Sequence, residues 1–376
     1  MEINKLIRIN YIDIAKALTI ILVVIGHSTQ LKPLVNFIYL FHMPLFIFLS
    51  GYFFKDEYTC NIITFIKKKI ISIYIPFIKF ELILLLLHNL FLSLNIYSTE
   101  YTNFYTKSNY IRNIISILTF RQTEQMAFPF WFLTSIFTIH LMFCIISYVS
   151  KFGKNYNEYI RAILILLSFA FGNITVANGI KFDWSLNTSL VTLIFYYIGY
   201  LYKKYEEKIK IEIKYIVVPL IVMIISSKWR IDISTNIYVN PLFFIVNSIC
   251  GIYVSIYTSK KLAKYTCTVL RYIGNRTIII MAFQFLGFYI GRSITSEYNL
   301  DTSKFYWIII SVCGLLIPLL IDYVLNLFAI NSSTLSYKLT KNITYNNDYI
   351  LNNLTKEFEL FKNETNAKFT KYSEKL

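Results

Sequence analysis

Between Ile12 and Phe328 the sequence passes from one apolar stretch to the next, and most of them are as long as a bilayer is thick. Roughly 20 apolar residues in a helix cross ~30 Å of hydrocarbon, and in lipid the helix satisfies its own backbone hydrogen bonds. Ten such stretches can be read: 12–28, 34–54, 70–94, 128–149, 159–176, 184–202, 215–227, 238–258, 272–290 and 305–328. The seventh is short. The stretches are too unlike one another to form an internal repeat. The fold expected is therefore all-α, a polytopic transmembrane bundle of about ten spans over residues 1–330, with a polar cytoplasmic tail over 331–376. Within the longest connection, 95–127, an interfacial helix is expected around Ile111–Phe120. In the tail, Leu351, Leu354, Phe358 and Phe361 recur at the spacing of a surface helix.

Composition agrees. The chain is 56% hydrophobic and 15% charged, with a mean hydropathy of +0.53, which excludes an ordinary soluble domain. A net charge of +16 would suit nucleic acid if the cations formed one block. They sit instead in short clusters between the spans, so the partner expected is membrane lipid and not nucleic acid. Alternating ten spans from a cytoplasmic N-terminus puts about 25 Lys and Arg on the inner side and about 9 on the outer. That asymmetry places both termini in the cytoplasm. The five cysteines have no metal-ligand spacing, and no metal is expected. The first span lacks a cleavage-site pattern and leads straight into the second, so no cleaved signal is expected.

Ionisable side chains inside spans are costly, and that cost makes them candidates for function. The first span carries Asp13, Lys16 and His27. Lys16 and His27 are 11 residues apart, three turns, so they share a face about 16 Å apart along the axis. Lys16 can snorkel to the inner interface; His27 lies in the outer half and cannot. The second span carries His42 at a similar depth. Pro44 cannot donate to Leu40, and so should kink this helix and leave a carbonyl open beside His42. Two histidines at one depth on neighbouring helices make a pair suited to general-base work, since an unperturbed pKa of about 6.5 lets imidazole take a hydroxyl proton near neutral pH.

Other polar groups carry less. Lys79 and Glu81 are two residues apart and do not face each other. His88 and His140 fit packing and hydrogen bonding. Lys67, Lys68 and Lys69, at the inner mouth of the third span, fit either the positive-inside pattern with anionic lipid or the phosphates of a cytosolic polyanion.

Four local patterns together resemble acyltransferase family 3, the ten-span membrane O-acyltransferases of surface polysaccharides and related glycans. They are Asp13-Ile-Ala-Lys16 with Gly26-His27-Ser28; Phe41-His42-Met43-Pro44-Leu45-Phe46 through Ser50-Gly51-Tyr52; the basic run leading to Pro76; and Phe130-Trp131-Phe132-Leu133. The second is similar to the branch of fucose O-acetylases. The likeness runs from about Tyr11 to Phe328. Many members have arginine where this chain has Lys16, which keeps the charge but not the planar fork. A late helix that often ends in histidine has Gln284 at that place, and Gln284 is not counted as catalytic.

What the resemblance implies is transfer of an acetyl group from cytosolic acetyl-CoA to a sugar hydroxyl of a glycan or lipid-linked sugar, in a bacterial inner membrane. His27, His42 and Asp13 are then the expected catalytic groups. Lys16, Lys67, Lys68 and Lys69 are expected to hold the coenzyme A thioester. A transporter or flippase for lipid-linked sugars or small acids is the alternative, since buried His, Lys and Glu would also suit a proton-coupled carrier. Against it, no matched pair of broken spans recurs in two halves.

Overall fold

The computed structural model describes residues 2–97, 102–209, 211–265, 267–300, 303 and 305–327, with side chains from Asn10 onward. The expected tail helix and the boundary at 330/331 lie outside these residues. The chain divides into two units, residues 1–319 and 320–376. Of the second, residues 320–327 are described and are helical.

The architecture is all-α: among the described residues no strand occurs, only an isolated bridge between Asp232 and Ile237. The helices are α1 (Glu2–Ser28), α2 (Lys32–Tyr39), α3 (His42–Tyr52), α4 (Ile62–Lys69), α5 (Ile75–Ser93), α6 (Lys107–Leu118), α7 (Trp131–Ser150), α8 (Asn157–Ala177), α9 (Leu186–Tyr205), α10 (Val217–Ser226), α11 (Pro241–Leu262), α12 (Thr268–Gly274), α13 (Thr277–Glu297) and α14 (Tyr306–Leu327). Among the described residues, seven stretches are long and apolar enough to cross a membrane. One of them, Gln125–Ala177, turns back at Lys154, where φ is 48°, and so holds both α7 and α8. Each of the ten expected spans coincides with a helix, or with two consecutive helical segments.

α9 and α10 fall outside those seven for different reasons. α10 has only 10 residues. α9 has 20 but begins with Asn187, Thr188 and Ser189, all buried. A helix surrounded by protein can carry such groups where a lipid-facing one cannot. α9 is packed against α3 at very short range. A Cβ on Gly51 would overlap the Tyr196 carbonyl, and one on Gly199 would overlap the Phe48 carbonyl. These two glycines let the backbones touch, as small residues do in membrane helix pairs.

Two spans depart from regular α-helix next to a proline. The second breaks between Tyr39 and His42, with Phe41 at φ −148°, ψ −16°. Pro44 is the cause, and the Leu40 carbonyl it leaves open accepts a hydrogen bond from Ser248 Oγ on α11 at 3.0 Å. The third span passes through a five-residue π turn, Ile70–Tyr74, between α4 and α5. The wider turn falls where Pro76 has no N–H to give and would crowd the carbonyl four residues back. A helix, α6, stands where an interfacial one is expected. Thr106 caps it by accepting from Asn109 N, and it buries Asn113 and Ile117 while Ile111, Ile114, Ile115 and Leu118 stay exposed.

At one end of the bundle, charged groups from separate connections meet. Buried Arg161 pairs with Asp56 at 3.1 Å and Glu158 at 3.3 Å, and Lys204 reaches Glu158 at 2.7 Å. Glu206 accepts from Tyr11 and Tyr52 and pairs with Lys260 at 3.1 Å. Positive-inside counting assigns all of these connections to the same side.

Candidate active site

The opposite end holds a cavity of about 610 Å³. Its lining comes from the last turns of α1, the broken second span, the start of α7, α13, and the loop after α10. On α1 the lining runs from Thr29 down to Ile20, so Lys16 is one turn beyond it. Both His27 and His42 line this space.

Tyr39 stands between the two imidazoles. Its hydroxyl is 3.3 Å from His27 Nδ1, and its ring centroid is 4.8 Å from that of His42. His27 is further held among aromatic rings, 5.6 Å from Phe285 and 6.4 Å from Phe128. His42 is 5% exposed, and its Nδ1 lies 2.9 Å from the Ile38 carbonyl oxygen. A carbonyl can only accept, so Nδ1 carries the proton. In the neutral ring the lone pair is then on Nε2, which makes no hydrogen bond among the described residues. That is the tautomer a general base requires. The helix break leaves the anchor accessible, and the bond that the Ile38 carbonyl receives from Phe41 N is long, 3.3 Å.

The loop after α10 contributes Lys228, Arg230, Asp232, Ile233 and Ser234. Asp232 lines the same cavity as both imidazoles and Tyr39. Its carboxylate accepts from Ser234 Oγ at 2.6 Å and pairs with Arg230 at 3.0 Å. Burial alone would raise its pKa. The bonds from Ser234 and Arg230 outweigh burial and hold it below the usual carboxylate value. Trp131 and Phe132, from the fourth sequence pattern, form part of the wall.

A family model described as an acyltransferase domain matches residues 9–323. The chain belongs to acyltransferase family 3. Neither the curated proteins nor the solved structures yield a match. An acyltransferase must bring an acyl donor and an acceptor together, and the paired imidazoles line a recess of ligand size.

The other residues singled out from the sequence lie elsewhere. Asp13 and Lys16 pair with each other at 3.0 Å, and Lys16 also stands over the Phe53 ring. Neither lines the cavity. Lys67 and Lys68 are exposed on α4 and Lys69 is half-buried; Lys68 stands over Tyr58 and Lys69 over Phe65. His140 bonds the Tyr196 hydroxyl at 2.7 Å, and His88 bonds Glu124 at 2.8 Å. Glu81 is buried and accepts from Thr123 and from Glu124 N, while Lys79 is exposed. Gln284 is fully buried three residues past Met281 of the cavity wall, and neither end of its amide has a partner among the described residues. No group of His, Cys, Asp and Glu suited to a metal occurs among them.

Tyr39 and Asp232 escaped the sequence reading. Tyr39 is one of 31 tyrosines, and nothing local distinguishes it. Asp232 sits in a polar loop, where an aspartate is ordinary.

Proposed function

We propose that this acyltransferase moves an acetyl group from acetyl-CoA to a sugar hydroxyl of a surface glycan or its precursor, in a bacterial inner membrane with both termini cytoplasmic. The observation that carries the reading is the pair His27 and His42, with Tyr39 between them, facing one cavity.

In the step proposed, the acceptor oxygen attacks the thioester carbonyl while an imidazole Nε2 takes its proton. The C–S bond then breaks, and the resulting imidazolium returns the proton to the departing CoA thiolate. His42 has the proton-accepting tautomer in place; His27 faces the same space. The branch resemblance to fucose O-acetylases and the aromatic walls at Trp131, Phe128 and Tyr39 favour a sugar, whose C–H faces pack against rings.

The donor is placed at the other end of α1. Lys16 lies about 16 Å from His27 along the helix, a gap the extended pantetheine arm can cover, and the cavity lining ends one turn short of Lys16. Lys67, Lys68 and Lys69 supply further positive charge for the CoA phosphates on the side expected to be cytoplasmic.

The test has two parts. Purified protein in nanodiscs receives acetyl-CoA with a labelled acetyl group and a panel of oligosaccharides, and H27A is run beside the wild type. Surface glycans from cells with and without the gene are compared by mass spectrometry. Label moving to saccharide in the wild type alone, together with acetyl mass that depends on the gene, supports the reading. Unchanged glycans and no saccharide labelling would overturn it.

A further inference from the structure

The mouth of the cavity is positively charged on the side of the bundle where the sequence has few cations. Of the about 9 Lys and Arg assigned to outer segments, three, Lys32, Lys228 and Arg230, line this one opening. They arrive from separate places, Lys32 from the start of α2 and the other two from the loop after α10. Among the described residues the one acidic group in the lining, Asp232, is already paired with Arg230 at 3.0 Å and bonded to Ser234. Lys32 and Lys228 have no ion pair among the described residues. The mouth therefore carries two uncompensated positive charges above low-dielectric walls, an arrangement that concentrates anions.

We propose that the acceptor is an anionic saccharide whose carboxylate or phosphate is held by Lys32 and Lys228 while its hydroxyl reaches the imidazoles. This rests on the acyl-transfer reading and adds the charge of the acceptor to it. The positive-inside pattern explains why cations are scarce on this side, but it gives no reason for a third of them to meet at one cavity. A ligand that brings its own negative charge does. Its sugar ring lies against Trp131 and Phe128, and its charged group stays near the opening, where two flexible ammonium groups follow it without the fixed geometry an arginine fork would impose.

The test uses the full chain in nanodiscs of zwitterionic lipid, so that no lipid anion competes. Three probes are compared: a neutral glucose disaccharide, the same disaccharide with one ring as a glucuronic acid, and glucose 1-phosphate. Equilibrium binding is measured without donor, and labelled acetyl transfer is measured with it. Binding of at least one acidic probe is expected to be tenfold or more tighter than that of the neutral one. That preference should shrink as salt is raised and vanish in K32Q/K228Q, whose melting temperature should match the wild type. The two acidic arms decide between carboxylate and phosphate. Equal binding of neutral and acidic probes, no binding of either acidic probe, or a preference untouched by K32Q/K228Q would overturn the proposal. Charge-selective binding that K32Q/K228Q abolishes, with no transfer to any probe, would leave the anion site standing and sink only the reading of its occupant as an acetyl acceptor.

Discussion

The Nδ1 of His42 lies 2.9 Å from the carbonyl oxygen of Ile38, four residues back across a break in the helix. The backbone thus fixes which ring nitrogen keeps its proton, and Nε2 is left to accept one.

If that nitrogen is the base, a side chain that keeps an N–H for Ile38 but offers no basic nitrogen should fold and fail to react. H42N is expected to insert and melt like the wild type while acetyl transfer falls by ~10²–10⁴-fold. Wild-type turnover in H42N would remove His42 from the chemistry.

The Leu40 carbonyl opened by Pro44 depends on Ser248. S248A should cost about 1–3 kcal/mol, the penalty for a buried acceptor without a donor. In P44A the backbone N–H of residue 44 can take over, so S248A should cost less on that background. Denaturation of the two single variants and the double variant in detergent measures this coupling. Simple additivity would show that the two residues act independently.

The backbones of α3 and α9 touch at Gly51 and Gly199. Neither carbonyl can step aside without moving its helix, so G51A and G199A should each destabilise by an amount at or above the top of the ~1–3 kcal/mol range for overpacking. Thermal unfolding followed by accessibility of Cys144, buried on the neighbouring α7, reads the loss. A melting temperature held within a degree would show that the contact is looser than described.

Asp232 is held ionised by Ser234 and Arg230 against the effect of burial, so its native pKa is below the unfolded value. A group of this sign stabilises fully above the ordinary carboxylate pKa of about 3.9, and the stabilisation fades as pH falls through the lower native value. Melting followed from pH 7 downward should therefore show an acid-induced loss that is smaller in D232N. Identical acid profiles would mean that the loop does not depend on this carboxylate.

Much of this was legible in the sequence because lipid leaves few alternatives. Apolar runs of bilayer length had to be helices, and ionisable groups inside them had to face protein. His27 and His42 could be paired, and the open carbonyl at Leu40 foreseen, from spacing and from Pro44 alone. What escaped depends on contacts between distant segments. Ser248 as the partner of Leu40 lies more than 200 residues away. Asp232 and Arg230 reach the cavity only because the loop after α10 folds over it. Glu206 finds Tyr11 across 195 residues.

The π turn Ile70–Tyr74 sets the rotational phase of everything after it in the third span. One residue more or less in a helix rotates the following part by about 100°. The buried links from Glu81 to Thr123 and from His88 to Glu124 therefore exist only in the present register. A π turn holds one residue more than an α turn, so deleting one residue from 70–74 closes it to ordinary helix with those links still in register, whereas inserting one would rotate that carboxylate and that imidazole away from Thr123 and Glu124.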